Sequence, residues 1–104
     1  MFEFIESTLF GRLRALYFDD DEYSELQRFM MLNPEVGAVV PGSGGVRKLR
    51  WRRDGGGKRG GLRVIYFVRY SPNAFWLLTV YAKTKQENIP ANILKRLKEA
   101  FRND

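Results

Sequence analysis

The sequence predicts an α+β fold, a small antiparallel sheet flanked by helices with its elements in the order β-α-α-β-β-β-α. Three observations carry that expectation. Apolar residues recur at helical spacing twice before residue 33 and once more after residue 90. Strand-like alternation is confined to the block between residues 46 and 83, and elements that cluster rather than alternate argue against a βαβ arrangement. The third observation is the run Leu62–Tyr70, the most β-prone stretch in the chain, rich in Val, Ile, Tyr and Phe and free of proline.

Taken in order, Phe2 to Ile5 alternates apolar and acidic residues, as a short edge strand does. Ser7 reads as an N-cap, and Leu9, Phe10, Leu13, Leu16 and Tyr17 form the apolar stripe of a first helix. Asp19-Asp20-Asp21-Glu22 opens a second helix, where negative charge complements the N-terminal dipole. Its stripe is Tyr23, Leu26, Phe29, Met30 and Leu32, and Asn33-Pro34 stops it. The acidic run is a helix start rather than a calcium loop, which needs spaced ligands and a glycine turn. Residues 35–45 read as a loop. Val46 to Arg52 alternates again, with Leu49 and Trp51 on one face and Lys48, Arg50 and Arg52 on the other. Arg53 to Gly60 is a cationic, glycine-rich connection, Ser71-Pro72-Asn73 a turn, and Phe75 to Tyr81 a second aromatic strand. Pro90 suits the first turn of a last helix, whose stripe is Ile93, Leu94, Leu97, Ala100 and Phe101. Without a repeat or an inter-domain linker, residues 1–104 are expected to form one domain.

Register can be argued too. Pairing 62–70 with 75–83 so that Arg63 faces Tyr81 puts Val64, Tyr66, Val68, Leu78 and Val80 on one face. Pairing Arg50 with Arg63 then sends Lys48, Arg50, Arg52, Arg63 and Lys83 to the other. Three consecutive strands thus aim cations at one surface. Arg63 is the anomaly of the central strand, since a guanidinium in a run apolar on both faces needs a carboxylate partner or a cleft open to an anion. Few carboxylates lie nearby in sequence, so the cleft is the favoured choice.

Composition narrows the chemistry. The 104 residues contain neither cysteine nor histidine. Disulfides, thiolate metal sites and imidazole-based acid–base catalysis are excluded, and no metal or cofactor is called for. The apolar run Val64 to Val68 is too short to cross a bilayer, and the N-terminus lacks the basic and apolar regions of a signal peptide, so a cytoplasmic location is expected. The net charge of +6 is uneven: residues 1–36 hold eight acids and three bases. Residues 46–70 hold nine bases (Arg47, Lys48, Arg50, Arg52, Arg53, Lys58, Arg59, Arg63 and Arg69) against Asp54 alone. Such a patch suits a polyanion, of which nucleic acid is the commonest.

Lys48, Arg50, Lys58, Arg63 and Lys83 make the sharpest cluster for phosphate, Arg as a bidentate fork and Lys as a mobile charge. Arg47, Arg52, Arg53, Arg59, Lys85 and Tyr81 are candidates for holding RNA around it. Cleavage through an RNA 2′-hydroxyl needs a base, a charge sink for the pentavalent phosphorus and a leaving-group acid. Lys and Arg would have to fill these roles, with Tyr66 or Tyr81 assisting. The same residues equally suit a face that binds phosphates without chemistry. Asp54-Gly55-Gly56-Gly57-Lys58 is no P-loop, because the spacing is wrong and Arg59 replaces the Mg²⁺-binding hydroxyl. Trp51 and Trp76 sit among apolar neighbours and read as core rather than base-stacking platforms.

Three runs of the chain, Pro41–Arg50, Gly57–Phe67 and Leu77–Lys83, together with Asn33-Pro34-Glu35-Val36-Gly37, resemble the RelE/ParE toxin superfamily. The likeness is greatest to the HigB-type branch of bacterial type II toxin–antitoxin systems, and it extends over nearly the whole chain. It implies an mRNA endonuclease acting in the ribosomal decoding site, and neutralisation by an adjacently encoded antitoxin, often of helix-turn-helix type. By position, Lys48 and Arg50 match basic residues of the family's second strand, Arg63 the arginine that contacts the scissile phosphate, and Lys83 the basic position after the last strand. The family's later arginine and C-terminal tyrosine have no counterpart in Thr84-Lys85 and Ile89-Pro90, which shifts the proton transfers to Lys58, Lys83 or Lys85. Two other activities remain open: a non-catalytic ParE-like toxin acting on DNA gyrase, and a plain nucleic-acid-binding module.

Overall fold

The computed structural model describes residues 1–52, 61–86 and 88–102. The elements are β1 (Glu3–Glu6), α1 (Thr8–Tyr17), α2 (Asp20–Leu32), β2 (Ala38–Val39), β3 (Arg47–Trp51), β4 (Leu62–Tyr70), β5 (Asn73–Ala82) and α3 (Ala91–Arg102). They build one five-stranded sheet in the order β1-β5-β4-β3-β2. The helices start where their caps dictate. The Ser7 hydroxyl accepts from the Phe10 N–H at 2.9 Å and donates to the Leu78 carbonyl at 2.8 Å, so the cap of α1 is also stitched to β5. Asp19 and Glu22 form a reciprocal capping box at α2 (2.7 and 3.1 Å), an arrangement that contributes about 1 kcal/mol.

Two expectations change. The sheet is mixed rather than wholly antiparallel, because β1 runs parallel to β5, Phe4 opposite Phe75 and Ile5 opposite Trp76. The short sequence Glu3-Phe4-Ile5-Glu6 is equally compatible with either direction, and its partner lies some seventy residues away. The stretch 35–45, read as a loop, contains β2, whose two residues pair with Lys48 and Arg47 of β3.

The sheet is covered on both faces. On one, α1 and α2 supply Phe10, Tyr23, Leu26 and Met30 against Leu49, Val64, Tyr66, Val68, Phe75, Leu77 and Val80. On the other, Leu94 of α3, with Leu97 and Phe101 packed beside it, meets Val46, Ile65, Trp76, Leu78 and Tyr81. Each fully buried Phe or Leu contributes about 1.5–3 kcal/mol. Trp76 stacks on Phe101 at 5.1 Å, while Trp51 is half-buried against Phe29 at 5.5 Å. The helical stripes are narrower than their periodicity predicts: Leu9, Leu16, Phe29, Leu32 and Ile93 are exposed. A helix lying on one sheet face buries only the residues pointing straight at it, and Ala100 too faces outward.

The predicted register holds at Arg63↔Tyr81 and Arg50↔Arg63. Beyond it the ladder slips: Ile65 pairs with Thr79 but Tyr66 with Leu77, leaving Leu78 as the extra residue of a β-bulge. Leu78 therefore joins Ile65 and Trp76 in the second core instead of sharing the Val64–Val80 face. Strict alternation has no means of revealing an inserted residue. Among the described residues, no helix is long and apolar enough to cross a membrane.

Candidate nucleic-acid interface

The register of β3, β4 and β5 lines up Arg50, Arg63 and Tyr81 in one row across the sheet. By the two-residue pleat these side chains share the α3 face with Ile65 and Lys48, which pair one step along. Arg50 and Arg63 stand directly opposite each other, so an anion seated between them would meet two positive charges. Arg63 is only 6% exposed although it carries a full charge, whereas Arg50 is exposed and Lys48 half-buried. The Arg63 Nη1 donates to the Leu62 carbonyl at 3.3 Å. Arg63 also contributes to the wall of a cleft of about 430 Å³, shared with Phe29, Val36, Leu49, Arg50, Trp51 and Arg52. A buried guanidinium fixed on the central strand is a preorganised charge.

Lys83 follows β5 and is exposed; its N–H donates to the Gly61 carbonyl at 3.1 Å, which extends the β4–β5 pairing at the end nearest Arg63. Lys85 is exposed in the turn that follows. Lys48 Nζ donates to Asn88 Oδ1 at 3.0 Å and so links β3 to the segment that leads into α3. Asn88 is a residue that sequence reasoning misses, and nothing local marks it, because its partner is forty positions away.

Tyr81 is 5% exposed and lies directly opposite Arg63. Burial pushes its phenol above the ordinary tyrosine range, and the nearby Arg63 charge pulls it partly back. Tyr66, the other tyrosine considered for an assisting role, is occupied. Its hydroxyl accepts from the Gly37 N–H at 3.0 Å and donates to the Pro34 carbonyl at 2.9 Å, on the α2 side of the sheet.

Not every predicted cation joins the row. Arg47 pairs with Tyr66 in register and is turned to the opposite face. There its Nη1 donates to the carbonyls of Glu35 (3.0 Å) and Gly37 (2.7 Å), and Nη2 lies 3.8 Å from Glu35 Oε1. It is a clamp on the 34–37 loop, a role that competes with holding RNA. Arg47→Ala is expected to cost about 1.5–3 kcal/mol, the scale of charged hydrogen bonds left unmade. Urea unfolding would measure that loss, and the activity per folded molecule should change by less than a few-fold. Arg52 follows the end of β3, is exposed, and lines the same cleft as Arg50 and Arg63, beside Trp51 and Phe29. Arg53, Lys58 and Arg59 lie outside the described residues.

The structure thus gathers Lys48, Arg50, Arg63, Tyr81 and Lys83 from three adjacent strands, a set able to seat a phosphate by charge and hydrogen bonding. These strands also carry the sequence likeness. A protein-family model described as the RelE toxin of the RelE/RelB toxin–antitoxin system matches residues 38–103, from β2 through α3. With that match covering most of the chain, and with the α+β architecture it accompanies, this protein belongs to the RelE toxin family of toxin–antitoxin systems.

Proposed function

We propose that this toxin is an endoribonuclease that cuts mRNA in the decoding site of the ribosome and so inhibits translation. The observation that supports it most is Arg63, a charged fork 94% removed from solvent, placed between Arg50 and Tyr81 on the central strand. A rigid donor of this kind is suited to the charge that builds on phosphorus in the transition state. In the reaction the 2′-oxygen attacks the adjacent phosphorus and the P–O5′ bond breaks, leaving a 2′,3′-cyclic phosphate and a free 5′-hydroxyl. The 2′ proton passes to a lysine amine of the site, with Lys83, Lys85 and Lys58 as the candidates, and a second group returns a proton to O5′. Lys48 and Arg50 hold the flanking backbone. The antitoxin, encoded beside the toxin and of helix-turn-helix type, neutralises it through an acidic or amphipathic segment drawn to the basic face.

Expression without the antitoxin tests the reading. Growth should stop through translation, and primer extension should show new mRNA 5′ ends inside coding regions. Arrest with translation intact and DNA breaks accumulating would replace it with action on gyrase.

A further inference from the structure

Among the described residues, two buried side-chain polar atoms lack a hydrogen-bond partner, Arg14 Nε and the Tyr81 hydroxyl. The first is compensated: Arg14 Nε lies 3.7 Å from Glu6 Oε2, and its guanidinium sits 4.1 Å over the Tyr23 ring. The second has no such relief. Tyr81 packs in the apolar cluster under α3, and a hydroxyl left dry and unpaired lowers stability. Phenylalanine would fill the same space without that cost. The hydroxyl is therefore better explained by something that arrives than by the fold. Its position names the visitor, because Tyr81 stands opposite Arg63 and in the row that includes Arg50.

We propose that the Tyr81 hydroxyl is kept for a phosphate, donating a hydrogen bond to a non-bridging oxygen of the group that Arg63 holds. With its pKa raised by burial, the phenol stays protonated at neutral pH and can donate to an anion. The role in RNA cleavage rests on the endoribonuclease reading; the anion site itself does not.

Tyr81→Phe removes the one oxygen. Its melting temperature should equal or exceed that of the unaltered protein, since no native hydrogen bond is lost. Inorganic phosphate should raise the melting temperature of the unaltered protein and raise that of Tyr81→Phe distinctly less. On ribosomes programmed with mRNA, cleavage by Tyr81→Phe should fall about 10²-fold, the scale of losing one preorganised donor to a developing oxyanion. A lower melting temperature for Tyr81→Phe without phosphate would overturn the proposal by giving the hydroxyl a structural role. Equal stabilisation of both proteins by phosphate, or cleavage by Tyr81→Phe at the unaltered rate, would overturn it as well. If the unaltered protein cuts no mRNA while phosphate still separates the two, the endoribonuclease reading falls and the anion site stands.

Discussion

Arg63→Ala is expected to lower mRNA cleavage by about 10²–10³-fold, the usual cost of removing one preorganised charge from a transition state. Arg63→Lys is expected to come close to it. Lysine keeps the charge but replaces the planar fork by a single point, which cannot hold two phosphate oxygens at once. The position allows little rearrangement, because the side chain is nearly buried on a strand paired on both sides. Both variants should be assayed beside their thermal unfolding, so that rates refer to folded molecules. A folded Arg63→Ala protein cutting mRNA at the unaltered rate would remove Arg63 from the site. Lys48→Ala, at a half-buried position on the rim, should cost less.

Gly61→Ala is expected to destabilise the protein by about 3 kcal/mol or more and to abolish activity at physiological temperature. Gly61 has φ +63°, and a Cβ there would lie 2.3 Å from the Trp51 carbonyl oxygen and 3.1 Å from the Arg52 Cα. Both obstacles are backbone, so no side chain can swing aside. The left-handed conformation adds about 1–2 kcal/mol for any residue with a Cβ. Relief would require β3 and β4 to separate where Arg50 meets Arg63, and would disturb the carbonyl that accepts from Lys83. For a chain of this size the melting temperature should fall by roughly 10–20 °C. A shift of a degree or two in calorimetry would show that the strands can part cheaply.

Much of this was legible in the chain itself. Ser7, the acidic run Asp19–Glu22 and Asn33-Pro34 mark helix ends by local signals that need no distant partner, and the structure closes Asp19 and Glu22 into a capping box. The alternation of Leu62–Tyr70 settles which residues share a face, because the pleat has a period of two. That pattern opposes a one-residue slip and is consistent with the pairing of Arg50 with Arg63 and of Arg63 with Tyr81, which the structure shows. The tertiary structure decided what depends on residues remote in sequence. The direction of β1 is one such case, set by its docking against β5 and by Ser7 reaching the carbonyls of Leu77 and Leu78. The bulge at Leu78 is another. So is the division of labour among cations alike in sequence: Arg47 is taken by the Glu35–Gly37 loop while its neighbour Lys48 reaches Asn88. Charge and period are local properties, and the sequence by itself determined them. Which charge finds a partner depends on which carbonyl or side-chain oxygen the fold brings within hydrogen-bond reach, and only the folded sheet fixed that.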